Sequence, residues 1–91
     1  MNNSKKVSIE MKFLNEVRVH VADGIRITKN KETITACYCA PNEKSFYEPM
    51  TRRRGNIKAQ EEEVRDKLTE RVVQYYKENP AIYLAVKRMS K

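Results

Sequence analysis

The chain predicts an α+β fold: an antiparallel sheet of three to five strands, packed by a long C-terminal helix, with a short terminal helix after Pro80. Three observations carry that prediction. Apolar and polar residues alternate over much of residues 7–48, the period-two signature of half-buried antiparallel strands. From Ile57 to Glu78 the period becomes helical, with Val64, Leu68, Val72, Tyr75 and Tyr76 on one stripe suited to covering the sheet. Asn79-Pro80 then ends that helix and starts another, Asn79 serving as N-cap and Pro80 occupying the first turn.

Taken in order, residues 7–13 read as a strand with Val7, Ile9, Met11 and Phe13 on one face, and residues 17–21 as a second with Val17, Val19 and Val21. A bend or bulge at Asp23-Gly24, with the glycine at positive φ, would keep Ile25 and Ile27 on the same apolar face. Asn30-Lys31 is the predicted hairpin loop. It opposes Lys29 to Glu32, Thr28 to Thr33, Ile27 to Ile34 and Ile25 to Ala36, each pair compatible in charge or shape. The returning strand stops at Pro41. A short extended piece over residues 45–48 precedes Pro49, and residues 49–56 form a basic loop. On the long helix, Glu63 with Lys67 and Glu61 with Arg65 are correctly oriented i,i+4 pairs, and the acidic trio Glu61–Glu63 sits near the positive end of the helix dipole. The terminal helix has an apolar face of Ile82, Val86 and Met89 and a basic end of Lys87, Arg88 and Lys91.

Length and composition exclude several classes. Ninety-one residues suit one domain with a modest core, and 40% hydrophobic with 34% charged residues suit a soluble globular chain rather than a disordered one. No apolar run approaches the roughly 20 residues that span a bilayer, and residues 1–6 lack the apolar core of a signal peptide. The expected setting is the cytoplasm of a bacterium, phage or mobile element, with no membrane partner. With two glycines there is no phosphate-cradling loop, and no nucleophile stands beside a base, so no enzyme and no cofactor are expected. Cys37 and Cys39, two apart on a strand, share a face but are too near in sequence for an ordinary disulfide. They and His20 match no zinc spacing, so no metal site is expected and the cysteines read as small buried residues.

The charge is what points to function. The net charge is +7, of which residues 51–91 supply +5. Arg52, Arg53 and Arg54, followed by Gly55, lead directly into the helix start near Asn56, where unpaired N–H groups also favour anions. Lys58 adds to this cluster, Arg65 and Arg71 flank the apolar stripe, and Lys29 and Lys31 top the hairpin. If hairpin tip and helix start share one rim, these groups form a track for a nucleic-acid backbone. Tyr47 and Phe46 could stack on unpaired bases, with core packing the competing role for Phe46, and core or interface the competing role for Tyr75 and Tyr76. The expected binding residues are therefore Arg52, Arg53, Arg54, Lys58, Arg65, Lys29, Lys31 and Tyr47. The expected function is a small regulator binding DNA or RNA mainly through phosphates. Two other classes fit the same features: a phage or mobile-element interaction module that binds and inhibits an acidic host protein, and a structural subunit using Tyr75, Tyr76, Ile82 and Met89. A solvated basic turn that serves solubility alone is the competing account of the arginines.

Residues 24–78 also carry a family resemblance. Gly24–Ile27 has the Gly-Ile-Arg-Ile form, followed by a hairpin into an apolar strand ending at Pro41. Then come Phe46-Tyr47-Glu48, an aromatic-x-acidic step, Pro49-Met50-Thr51, and the stretch from Val64 to Tyr75. Together these resemble the stage V sporulation protein G (SpoVG) family of small bacterial regulators. The resemblance implies an antiparallel sheet with a C-terminal helix, and a homodimeric DNA- or RNA-binding regulator. The family's Met-Pro-Ser is Ala40-Pro41-Asn42 here, and an insertion between Thr51 and Arg65 contains the whole arginine run. The basic cluster thus stands on its charge rather than on the family pattern.

Overall fold

A computed structural model describes residues 2–41 and 44–89, with side chains from Met11 onward. Its elements are α1 (Asn2–Gly24), β1 (Ile25–Lys29), β2 (Thr33–Cys39), β3 (Ser45–Thr51), α2 (Ile57–Glu78) and α3 (Pro80–Met89). The strands form one antiparallel sheet in the order β1-β2-β3, and α2 covers one of its faces. This is a small α+β fold, as the periodicities predict.

The largest correction lies at the N-terminus. Residues 7–13 and 17–21, expected as strands, belong to α1, so the sheet begins at Ile25 and not at residue 7. Exposure along α1 follows a helical period: Val17 and Val21 are fully buried, while Val19 between them is 62% exposed. A strand would place all three on one face. Phe13, Leu14, Val17 and Val21 form the stripe that competes with the period-two reading, and they win because α2 offers them a surface. The side chains of Val7 and Ile9 lie outside the described residues.

Gly24 closes α1 instead of forming a bulge, and its φ is not positive; Gly55 has the positive φ, at 121°. Glycine is needed at position 24 for a different reason. A Cβ there would stand 2.9 Å from the Tyr38 ring, whose hydroxyl is hydrogen-bonded to that of Tyr76 at 2.9 Å.

The hairpin forms with its register moved by two residues. Ile27 faces Ala36 and Lys29 faces Ile34, not Ile34 and Glu32. A shift of two leaves every side chain on its expected face. Asn30 explains it: its Oδ1 accepts hydrogen bonds from the backbone N–H groups of Glu32 and Thr33 and from the Thr33 hydroxyl, at 2.7–3.0 Å. Such an Asx turn makes Asn30 the first residue of the turn rather than a central one. β3 also runs further than expected, through Pro49 to Thr51; as an edge strand it tolerates proline, which needs no ladder donor on the open side.

The core lies between sheet, α2, α1 and α3. Val64, Leu68, Val72 and Tyr76 are buried as the stripe predicts, with Tyr75 half-buried against Phe46. Thr69 and Val73 are buried as well, because α1 covers a second side of α2. In α3 the anchors are Tyr83 and Val86, with Ile82 partly buried; Met89, expected in the apolar face, is 57% exposed. Tyr83 donates its hydroxyl to Glu16, which also pairs with Lys87, tying α3 to α1. Burial raises the hydroxyl pKa of Tyr38, Tyr76 and Tyr83 above the usual tyrosine value. No helix among the described residues is long and apolar enough to cross a membrane. Asn42 and Lys91 lie outside the described residues.

Candidate nucleic-acid interface

The hairpin tip and the start of α2 meet at one rim of the molecule. Arg52 makes the junction: its backbone N–H donates to the Glu32 carbonyl at 2.8 Å, and its guanidinium donates to the Asn30 carbonyl at 2.6 Å. Lys29 closes the same junction from β1, donating to Glu61 of α2 at 2.6 Å. That hydrogen bond holds the Glu61 carboxyl below its ordinary pKa. Residues 22 and 32 positions apart in sequence are therefore fastened together.

The loop between β3 and α2 is built on Gln60. Its buried side-chain amide accepts from the Arg53 N–H at 2.9 Å and donates to the Arg53 carbonyl at 2.8 Å, satisfying both backbone groups of that residue. The Arg53 guanidinium turns back to Glu63 at 2.7 Å, and this hydrogen bond lowers the Glu63 pKa. Gly55 takes the left-handed conformation that swings the chain into the helix, and nothing within 4 Å would touch a Cβ there. Asn56 then caps α2, its Oδ1 accepting from the N–H groups of Lys58 and Ala59.

That cap alters the expected anion site. Two of the helix's N–H groups, part of the anion site expected beside the arginine run, are already taken by Asn56. The acidic trio likewise lies beyond the first turn, which holds no acidic residue. Glu61 and Glu63 are cross-element ion-pair partners rather than dipole complements.

The eight expected residues thus divide. Lys31, Arg54 and Lys58 are exposed on the rim and make no ion pair among the described residues. Arg52 is exposed and keeps its full charge, because its partner is a carbonyl. Lys29 and Arg53 are neutralised locally by carboxylates. Arg65 lies two helical turns further along α2, half-buried, with an Nε that has no hydrogen-bond partner. Tyr47 is 56% exposed but on the sheet face opposite α2. Phe46 and Tyr76 take the core role; Arg71 is spent on Glu48 and on the Tyr47 carbonyl.

Cys37 and Cys39 are corrected too. They lie on the uncovered face, Cys37 half-buried and Cys39 exposed, with Sγ atoms 3.4 Å apart. Burial pushes the Cys37 thiol pKa up, while the Ser45 hydroxyl pulls that of Cys39 down. Arg26, on the same face, was not singled out by the sequence; its place beside the two cysteines in the strand alternation was the available signal.

Comparison of the chain with family models, with curated proteins and with solved structures returns no match.

Proposed function

We propose that the protein is a small nucleic-acid-binding regulator that holds a polyanionic backbone along the rim formed by the hairpin tip and the start of α2. The observation that supports this reading is the fastening of Arg52 to the hairpin turn, which gathers Lys31, Arg52, Arg54 and Lys58 with their charge free. Lys29 and Arg53 act through structure: they brace the rim by pairing with Glu61 and Glu63. Four cations on phosphates give a slope of about −3.6 for log affinity against log salt on duplex DNA, at about −0.9 per contact. Replacing Lys31, Arg54 and Lys58 by alanine should reduce that slope by about 2.7 and weaken binding to every sequence alike. An unchanged slope and affinity in the triple variant overturns the assignment.

Relationship to the stage V sporulation protein G family belongs to the same proposal and adds a homodimer, which sedimentation equilibrium over a concentration series tests. A second reading, docking on an acidic host protein, rests on the same exposed cations, Lys31, Arg52, Arg54 and Lys58, which suit a carboxylate surface as well as a phosphate backbone. Pull-down with and without nuclease separates the two: a nucleic-acid binder loses its co-purifying material and a protein inhibitor keeps it.

A further inference from the structure

The sheet has two faces, and α2 covers one. The other is formed by alternate residues, among them Arg26, Thr28, Thr35, Cys37, Ser45 and Tyr47, and none of these is buried. Among the described residues it carries no carboxylate. The single acidic residue in the three strands, Glu48, lies on the covered side, paired to Arg71 of α2.

We propose that this open face reads the base edges of duplex DNA from the major groove. The inference rests on the nucleic-acid reading above and names its partner. Width is the first argument. The major groove of B-form DNA is about 12 Å wide and admits a two-stranded ribbon, so two adjacent strands of the three, with axes about 4.8 Å apart, would enter it while the third stays at its mouth. Chemistry is the second. The face presents the Thr35 hydroxyl, the Thr28 hydroxyl, which donates a long 3.4 Å bond to the Thr35 carbonyl, the Tyr47 hydroxyl beside Cys37, and the Arg26 guanidinium, which lies near the Cys37 and Cys39 thiols and makes no ion pair among the described residues. Arginine is the side chain that reads guanine through O6 and N7, and threonine offers both a hydroxyl and a methyl group to base edges. Placement is the third. The hairpin turn and Arg52 stand at one end of this face, where Lys31 and Arg52 would meet phosphates at the groove wall.

The same observations argue against single strands and RNA. A sheet that binds unpaired bases stacks two or three of them on aromatic rings, and Tyr47 is the sole aromatic side chain on this face. The major groove of A-form RNA is too narrow for side chains to read.

The test starts by selecting preferred sites for the full chain from a pool of random-sequence duplexes. The selected duplex is then rebuilt with a guanine analogue lacking the N7 acceptor and with uracil for thymine, changes confined to the major-groove edge. Binding by the unaltered protein should weaken tenfold or more. Arg26→Ala and Tyr47→Ala should flatten the base preference while leaving the salt slope that of the unaltered protein. Equal binding to both duplexes, a pool with no preferred site, or tighter binding to single strands overturns the proposal and leaves phosphate binding at the rim standing. Absence of any nucleic-acid binding overturns both.

Discussion

Val17→Ala and Val19→Ala form a pair of substitutions that should behave in opposite ways, although the two residues are chemically identical and two apart. Val17 is fully buried and Val19 is 62% exposed. Truncating Val17 removes two methyl-sized groups from a closed core, a transfer loss of about 1.6 kcal/mol at about 0.8 kcal/mol per group. The space left behind adds to this, so about 2–3 kcal/mol is expected. Val19→Ala removes little buried surface and introduces a better helix former, so its effect should lie within about 0.5 kcal/mol of zero, in either direction. Urea denaturation followed by far-ultraviolet circular dichroism measures both. With a slope of about 1–2 kcal/mol per molar, Val17→Ala should lower the midpoint by about 1–3 M, and Val19→Ala should hardly move it. Comparable losses in the two variants would mean that both side chains share a face. The helix over residues 2–24, and the core built on it, would then be wrong.

Four further outcomes are expected. Gly24→Ala should destabilise by about 1–3 kcal/mol, because its Cβ meets a Tyr38 ring that the Tyr76 hydroxyl holds in place; thermal denaturation checks this, and in a Tyr38→Leu background, itself less stable, the same substitution should cost less. Asn56→Ala removes the cap of α2 and should cost about 1 kcal/mol in the same assay. Tyr38, Tyr76 and Tyr83 have folded pKa values raised above the unfolded value of about 10, so the neutral forms favour the fold: their contribution is complete below about pH 10 and lost as pH rises beyond it. Tyrosinate absorbance should therefore rise together with loss of structure in an alkaline titration. For Glu16, Glu61, Glu63 and Glu70 the sign is reversed. Their lowered carboxyl pKa values stabilise the fold above about pH 4.3 and cease to do so as acid protonates them, an effect that added salt should shrink because the pairs are exposed.

How much of this was legible in the sequence depended on whether a segment's local pattern had one solution. The stripe from Val64 to Tyr76 fits only a helix, and Asn79-Pro80 fits only a break, so α2 and α3 stand where their residues put them. Residues 7–21 carry both periods at once. Val17 and Val21 are i, i+4 on a helix and i, i+4 on a strand alike, and the choice is made by Phe13 and Leu14 finding α2 and Tyr83. That is a tertiary fact, invisible locally. The hairpin register turned on whether Asn30 would open the turn or lie inside it, a matter of one side-chain oxygen. Within the basic cluster, sequence identified the charges but not their partners. Distance along the chain hides the pairing of Lys29 with Glu61, and the meeting of hairpin tip and helix start, only a condition in the sequence, is met because β3 returns to the end of the sheet where the β1–β2 turn lies.

The reciprocal amide bonds between Gln60 and Arg53 carry a consequence for how the rim could evolve or be engineered. Because the main chain at Arg53 is held by a neutral side chain from α2, the identity of its neighbours is left open. Arg52 has a structural bond to lose, but Arg54 has none among the described residues, and its guanidinium could be exchanged for other groups without loosening the segment. On the proposed reading, affinity at this edge is adjustable one cation at a time, on a support that a charge change does not disturb.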